Sequence, residues 1–279
     1  MRRLRFPLLV ALVAALVPTA SAEQPLLHRS GALPALRITL TARSAILVDA
    51  ATGTVLWAKH PHVRHPVAST TKIMTAIVAM ERLRAHTIVK VDRSVARVPP
   101  FREGLRPGER VEAWKLFYGL LLYSGNDDAL ALAIAAGGTR SRFVALMNEK
   151  ARSLGLHDSH FRSPSGLLDR DNYSSVWDMA ALTRYALRNP RFRAVVRTRV
   201  KHIPWSPPIN EKVYVNHNHL LGKYAGADGV KTGWTTLAKH CFVASAHRHG
   251  VRLIAVVLGA DDSDGDVTKL LDWGFANHG

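Results

Sequence analysis

Hydrophobic residues along the chain change their period twice, which predicts strands at both ends and helices in the middle. Residues 45–48 and 54–57 are short β-rich runs on either side of a glycine-containing turn, the pattern of a hairpin. The β-rich runs 231–246 and 251–259 predict a second hairpin. Apolar residues at helical spacing predict helices at 69–84, 111–123, 127–136, 143–154, 176–187 and 269–275.

Strands at both ends around a helical middle predict an α+β fold. We expect one antiparallel sheet of about five strands covered by helices, with an all-helical lobe inserted between the strands. The chain has 279 residues, of which 47% are hydrophobic, enough to bury a full core in one domain or two tightly packed lobes. A binding site is then expected in the crevice between the sheet and the helical lobe.

The first 22 residues have the layout of a secretory signal. Three arginines precede an apolar stretch at 8–17, and an A-x-A cleavage sequence ends at Ala22. An uncleaved membrane anchor is the alternative, but the apolar stretch is short for a membrane span. We expect a loosely ordered leader at 23–41 and a single domain at 42–279. Export would place the protein in the cell wall, in the periplasm or outside the cell.

The net charge favours anionic partners. It is +17 for the whole chain, and removal of the three signal arginines leaves +14. Because the chain is expected to be exported and carries no zinc-finger, RRM or KH motif, an anionic wall polymer fits better than nucleic acid. A basic, solvated surface without a specific partner is the alternative.

Three features suggest redox or metal chemistry at first sight, and none has the full pattern. Cys241 is the only cysteine, so no internal disulfide is expected, and its apolar neighbours favour a buried structural thiol. The acidic segment 261–266 lacks the glycine and glutamate of a calcium loop, which favours a solvated loop. Isolated His-x-His pairs lack further ligands, so we expect neither a metal nor a cofactor. The pairs lie at 60–62, 217–219 and 247–249.

A serine and a lysine at the start of an apolar helix form the first candidate for chemistry. Ser69 and Lys72 are three residues apart and therefore share one helix face, and Pro66 discourages helix before them. The first turn of a helix offers free N–H groups to a developing oxyanion. A lysine desolvated by apolar neighbours can have a pKa low enough to act as a base. The pair predicts a nucleophile with its base, although the spacing alone is common.

Two further triplets give the pair its weight. Ser124, Gly125 and Asn126 stand between two apolar helices, and 231–233, which reads Lys-Thr-Gly, opens a strand. The three motifs S-x-x-K, S-x-N and K-T-G, in this order, are typical of serine β-lactamases and penicillin-binding proteins.

On these motifs the chain resembles the low-molecular-mass penicillin-binding proteins, the serine D-alanyl-D-alanine carboxypeptidases. The resemblance covers about 45–275 and implies a β-lactamase/transpeptidase-like fold. It implies an enzyme that needs no cofactor, trims the terminal D-alanine from peptidoglycan stem peptides and is inhibited covalently by β-lactams. The chain is similar to the short members without a carboxyl-terminal β-domain. Further similar segments are 66–75, 121–127, 147–148, 154–156, 163–167, 216–221 and 229–235.

The resemblance also implies the catalytic residues. Ser69 would attack the carbonyl between the two D-alanines, and Lys72 would accept its proton. Ser124, placed between the amines of Lys72 and Lys231, would pass a proton to the leaving nitrogen. The spacing of Ser69 and Lys72 points to the same pair independently.

The substrate-binding residues are implied in the same way. Asn126 would hold the substrate's peptide amide, while Thr232 and the neighbouring lysine would meet its terminal carboxylate. Gly233 would leave room for the substrate beside the strand. The backbone N–H of Trp234 would complete the oxyanion hole with that of the nucleophile. Thr235 belongs to the same segment of the resemblance and is expected to bind substrate.

The chain departs from its relatives at some positions, and alternative functions remain to be weighed. Relatives commonly carry an arginine where this chain has the acidic segment 261–266, and Lys239 replaces a glycine. A transpeptidase would use the same site with an amine as acceptor. A class A β-lactamase would need a glutamate that is absent between 156 and 201. A non-catalytic wall-binding module is disfavoured because all the site residues are present.

Overall fold

A mixed α+β architecture is present in the computed structural model, which describes residues 25–29, 38–167 and 171–278. The predicted signal at 1–22 lies outside the described residues. The strands are β1 His28–Arg29, β2 Ser44–Asp49, β3 Thr54–Lys59, β4 His65–Pro66, β5 Ile88–Lys90, β6 Arg110–Glu112, β7 Tyr173–Ser174, β8 Val200–Pro204, β9 Glu211–Val215, β10 Ala227–Thr235, β11 Lys239–Arg248 and β12 Val251–Ala260. The α-helices are α1 Lys72–Arg82, α2 Ala113–Tyr118, α3 Asn126–Gly137, α4 Arg140–Ser153, α5 Val176–Ala186, α6 Pro190–Val196 and α7 Ser263–His278.

The central sheet has the order β1-β3-β2-β12-β11-β10. Five of these strands pair antiparallel, which confirms the predicted sheet of about five strands. The sixth, β1, is a two-residue strand that pairs parallel with β3, through His28 and Thr54. It lies in the segment 23–41 that the sequence indicates as a leader, so part of that segment pairs with the domain.

Helices cover both faces of the sheet, as the period-two pattern of its strands requires. On β2, Ile46 and Val48 face a core shared with α1, α3 and α5. The alternate residues Ala45 and Leu47 face a second core shared with α7. The insertion that contains α2, α3 and α4 forms the helical lobe, and the short pair β5–β6 lies beside it.

Several elements differ from the sequence prediction for identifiable reasons. The predicted single run 231–246 is two strands, β10 and β11, separated by a turn at 236–238, because Lys239 adopts a left-handed backbone conformation. The sequence pattern predicts no helix directly after 176–187, yet α6 begins there: the Asn189 side chain caps the helix and Pro190 occupies its first turn. The hairpin β8–β9 was not predicted, because the polar and apolar residues in it alternate only weakly.

None of the described helices is by itself long and apolar enough to cross a membrane. Among the described helices, α3 and α4 taken together meet the length and composition for a span, and they are bent by 84° at their junction.

The prediction of a solvated loop at 261–266 is wrong for its last part. Helix α7 begins at Ser263, and Asp266 is fully buried. Its carboxylate accepts hydrogen bonds from the backbone N–H of Thr41 at 3.0 Å, from the Thr41 hydroxyl at 2.8 Å and from the backbone N–H of Ala42 at 2.7 Å. The acidic residue therefore anchors the chain that enters the sheet, and it does so at the amino-terminal end of a helix, where a negative charge is favoured.

We expect the replacement Asp266→Ala to lower the free energy of unfolding by about 2–4 kcal/mol, because it removes the acceptor of three hydrogen bonds and leaves the buried N–H of Ala42 without a partner. Asp261→Asn is the matched control, since that exposed side chain is expected to contribute almost nothing. Urea denaturation of the three proteins measures the difference. An unchanged midpoint for Asp266→Ala would contradict the anchoring role.

Candidate active site

The first motif lies in a tight turn that precedes a buried helix. Ser69 belongs to a 3-10 helix at Ala68–Thr71, and α1 begins at Lys72. The sequence predicts Ser69 in the first turn of the α-helix itself, so the type of turn differs while its place in the chain agrees. Ala68 has a φ angle of 46°, an uncommon backbone conformation for a residue with a side chain. Such strain is often found at functional sites.

The amine of Lys72 is fully buried and has three neighbours. Its Nζ atom lies 2.9 Å from the Ser69 Oγ, 2.9 Å from the Asn126 Oδ1 and 3.2 Å from the Ser165 carbonyl oxygen. Burial lowers the pKa of Lys72 well below 10.5, and the charge of Lys231 lowers it further. The Ser165 carbonyl is a contact that the sequence motifs did not indicate, although the segment 163–167 belongs to the resemblance.

The three oxygen neighbours of Lys72 can satisfy an ammonium as well as a neutral amine, and the lowered pKa favours the neutral form. A neutral amine has two N–H donors and one lone pair, whereas an ammonium has three donors and no acceptor. The Asn126 and Ser165 oxygens are acceptors only, so they take the two N–H groups. The lone pair is then left for the hydroxyl proton of Ser69. This arrangement can remove a proton from the serine.

The second lysine of the site is buried beneath the strand that carries it. Lys231 is 2% exposed, and its Nζ donates a 2.9 Å hydrogen bond to the Thr232 carbonyl oxygen. Burial lowers the pKa of Lys231 from 10.5 to about 7. This amine therefore changes its charge near neutral pH.

The second motif follows a π-helical turn that extends α2 over Gly119–Tyr123. π-helical turns often occur at functional sites. Ser124 ends this turn in the left-handed conformation, with φ 71°, and lines the same cavity as Ser69. A serine held at positive φ is strained, which fits a residue placed for function.

Asn126 is bound on two sides by the protein itself. Its Oδ1 contacts Lys72, its Nδ2 donates to the Pro100 carbonyl at 2.6 Å, and its backbone N–H donates to the Phe101 carbonyl at 2.8 Å. The resemblance assigns this side chain to the substrate's amide. In the structure its amide group positions Lys72 and the loop at 99–105, and it also borders the cavity.

The third motif places a strand edge against the nucleophile turn. A Cβ atom on Gly233 would come within 2.9 Å of the Ser69 backbone nitrogen, so only glycine allows this approach. Thr232, Trp234 and Thr235 line the cavity with it, and Trp234 is 55% exposed. The structure thus brings the predicted residues of all three motifs to one place, with Lys72 and Lys231 buried beneath the surface.

The cavity has a volume of about 870 Å³, enough for a peptide end or a small molecule. Its walls include residues that the motifs did not indicate, because they approach through tertiary contacts. These are Phe101, Leu167, His217, Thr236, Leu237 and His240. Residues 261–264, three of which are aspartates, also line the cavity, so the segment in which this chain departs from its relatives lies at the site itself.

Metal binding and cysteine chemistry have little support at this site. Within the described residues, no group of three or more His, Cys, Asp or Glu side chains is arranged to hold a metal ion. Cys241 is buried, and burial raises the pKa of its thiol to about 12, so it is a poor nucleophile.

A strained serine turn, a buried lysine base and a strand edge define a serine acyl-transfer enzyme of the penicillin-binding class. The family model described as D-alanyl-D-alanine carboxypeptidase matches residues 30–262. The chain therefore belongs to the D-alanyl-D-alanine carboxypeptidase family of serine peptidases. This confirms the resemblance drawn from the three motifs.

Similar proteins support the family membership. The chain is 36% identical to D-alanyl-D-alanine carboxypeptidase DacF of Bacillus subtilis, over 85% of this chain and 63% of DacF. It is 35% identical to a D-alanyl-D-alanine carboxypeptidase of Streptomyces, over 88% of this chain and 92% of that protein. The crystal structure of the Streptomyces K15 DD-transpeptidase matches with a TM-score of 0.81 and 33% identity, over 87% of this chain and 100% of the other. The chain thus spans less than two thirds of the Bacillus relative.

The buried Lys231 predicts a pH-dependent stability. Between pH 7 and 10.5 the unfolded chain holds a proton on Lys231 that the folded protein has lost, so the free energy of unfolding rises with pH in this range. Burying the charged lysine therefore destabilises the folded protein most below pH 7, and this destabilisation disappears as the pH rises to 10.5. Lys231→Met removes the amine. We expect the variant to be the more stable protein at pH 6.5, by on the order of 3 kcal/mol, and to lose that advantage by pH 10.

Guanidinium unfolding of the wild type and Lys231→Met at both pH values measures this difference. Lys239→Met is the matched control, because that lysine is exposed on the neighbouring strand. An equal difference between wild type and Lys231→Met at the two pH values would contradict the lowered pKa.

Proposed function

We propose that this chain is a serine D-Ala-D-Ala carboxypeptidase that removes the terminal D-alanine of peptidoglycan stem peptides. The observation that carries the proposal is the 2.9 Å contact between the Ser69 Oγ and a buried Lys72 amine whose other two neighbours are acceptors. Family membership supplies the reaction, and this contact supplies its first step.

In the proposed acylation the proton of the Ser69 hydroxyl passes to Lys72, and the Oγ attacks the carbonyl carbon of the penultimate D-alanine. The backbone N–H groups of Ser69 and Trp234 stabilise the oxyanion, and each donor lowers the barrier by about 3 kcal/mol. The C–N bond then breaks, and the departing nitrogen receives a proton from Ser124, which takes the proton held by Lys72 in exchange. Free D-alanine leaves, and water hydrolyses the ester on Ser69 to regenerate the enzyme.

The terminal carboxylate of the substrate is proposed to contact Thr232, whose side chain lines the cavity. Lys231 supports this contact from below, since its amine is bonded to the Thr232 carbonyl. The charge of Lys231 is fully present only below its pKa of about 7. The carboxylates of Asp261, Asp262 and Asp264 in the same cavity repel a substrate carboxylate, so the contact with Thr232 and Lys231 must outweigh this repulsion.

A DD-transpeptidase is the second candidate, because the same acyl-enzyme can be released by an amine instead of water. The solved Streptomyces K15 protein carries the name DD-transpeptidase and covers this fold at a TM-score of 0.81. Only the acceptor differs between the two activities.

We also propose the cellular setting that the sequence indicates. The signal at 1–22 directs export, the catalytic domain occupies 42–279, and the enzyme acts in the cell wall or periplasm, where it contributes to peptidoglycan maturation and cell shape. The positive net charge supports contact with anionic wall polymers. Protein recovered from the cell envelope should have the mass of residues 23–279, and recovery of the uncleaved chain would contradict the proposal.

Acylation by benzylpenicillin tests the nucleophile. Intact-mass spectrometry should find one penicillin covalently bound to the wild type, with a persistent adduct on Ser69. Ser69→Ala should form no adduct and release no D-alanine from a stem pentapeptide, while its thermal unfolding stays close to that of the wild type. Turnover retained in this variant would overturn the mechanism.

The fate of the acyl group separates the alternatives. Release of D-alanine in water, with no new peptide bond when an amine acceptor is added, supports the carboxypeptidase. Transfer to the amine as the main product would favour the transpeptidase. An adduct that disappears within seconds as penicilloate accumulates would instead identify a β-lactamase.

A further inference from the structure

A buried acidic cluster lies directly behind the second motif. It consists of Glu103, Asp127 and Asp128, with Lys212 and Tyr214 of β9 packed against it. Lys212 and Glu103 form an ion pair at 3.1 Å, with 9% and 4% of their side chains exposed. Three carboxyl groups and one lysine amine share this space, so the one positive charge cannot balance the negative charge of three ionised carboxylates.

Two of the three acids have clear partners. The Asp127 carboxylate accepts hydrogen bonds from three successive backbone N–H groups, those of residues 103–105, at 2.9–3.1 Å. Glu103 pairs with Lys212 and accepts a hydrogen bond from the Tyr214 hydroxyl. Asp127 therefore has the donors that an ionised carboxylate needs. Glu103 has one hydrogen-bond donor and an ion pair, and burial raises its pKa.

Asp128 is different. It is fully buried, and neither of its oxygens has a hydrogen-bond donor anywhere in the described part of the chain. The backbone is fitted closely around it: a Cβ atom on Gly119 would lie 2.4 Å from one oxygen, and a Cβ atom on Gly125 would lie 2.0 Å from the other. The middle residue of the second motif is thus a glycine because the Asp128 carboxyl occupies the space that a side chain would need.

An ionised Asp128 would be a buried charge without a partner, which folded proteins avoid. A protonated Asp128 has one O–H donor, and Glu103 offers a carboxylate acceptor beside it. Burial, the charge of Glu103 and the charge of Asp127 all raise the pKa of Asp128 well above its ordinary value, while Lys212 opposes them. The available hydrogen-bond partners and the surrounding charges both favour a protonated, neutral Asp128.

We propose that Asp128 is a positioning residue of the active site, a neutral carboxylic acid that donates its proton to Glu103 and thereby holds the loop 99–105 against Asn126. The inference rests on the proposed function, since it concerns how the base of that reaction is positioned.

The connection from the cluster to the nucleophile is continuous. In the proposal Asp128 helps to fix Glu103, and the nearby residues Pro100 and Phe101 offer the two carbonyl oxygens that bind Asn126. Asn126 in turn presents its Oδ1 to the Lys72 amine at 2.9 Å. Loss of the Asp128 donor therefore loosens the loop, releases the Asn126 amide and weakens the orientation of the base.

The neutral state also matters for the charge at the site. Negative charge on Asp128 or Asp127 raises the pKa of Lys72 and so favours its inactive, protonated form. A proton held on Asp128 removes one of these two charges. The titratable groups that interact with Asp128 are Glu103, Asp127, Lys212, Tyr214 and Lys72.

Two substitutions at one position separate the donated hydrogen bond from the volume of the side chain. Asp128→Asn keeps an N–H donor to Glu103 and is neutral at every pH, whereas Asp128→Ala removes the donor. We expect Asp128→Asn to be acylated by benzylpenicillin at pH 7 within threefold of the wild-type rate. Asp128→Ala should be slower by tenfold or more. Equal rates for the two variants, whether both fast or both slow, would overturn the proposal.

Infrared spectroscopy tests the protonation directly and needs no substrate. The difference spectrum of wild type minus Asp128→Asn at pH 7 should contain the carbonyl stretch of a protonated carboxylic acid. A difference band of an ionised carboxylate in its place would overturn the proposal. If Asp128→Ala fails to fold, the asparagine variant and the infrared band decide the question. If no protein is acylated, the proposed function fails, while the infrared band still reports on Asp128.

Discussion

Burial of two lysine amines beneath a serine is the constraint on which the rest of this structure depends. An amine in water holds its proton up to a pH near 10.4, so an exposed Lys72 could not act as a base at neutral pH. The fold removes water from both Lys72 and Lys231. It supplies Lys72 with two fixed acceptors in place of water. The Ser69 hydroxyl is the third neighbour, so a neutral Lys72 can accept the proton of this hydroxyl.

Enclosing the amines requires close approach of elements from distant parts of the chain. The strand β10 reaches the nucleophile turn only because Gly233 has no side chain, and the turn itself strains Ala68. Ser124, which lines the same cavity, holds a second strained conformation. Strain of this kind typically costs 1–3 kcal/mol per residue and persists where the surroundings are well packed. The two apolar cores on either side of the sheet provide that packing.

Much of this architecture follows from the sequence, because periodicity reports burial and the motifs report chemistry. The hairpin of β2 and β3, the helical lobe and the three motifs are of this kind. The sequence did not reveal which carbonyl contacts Lys72, nor that Asp266 is buried. Both facts depend on which segments meet in space, and Asp266 has the same local pattern as a solvated acid. The role of Gly125 is hidden for the same reason, since the side chain it makes room for is that of Asp128.

The central claim is that Lys72 is neutral in the resting enzyme, and nuclear magnetic resonance of the labelled lysine side chains tests it most directly. The Lys72 signal can be assigned by its absence from Lys72→Met. The account predicts that this signal has the chemical shift of a neutral amine at a pH where surface lysines are still charged. A titration of Lys72 together with the surface lysines, near pH 10.5, would contradict it.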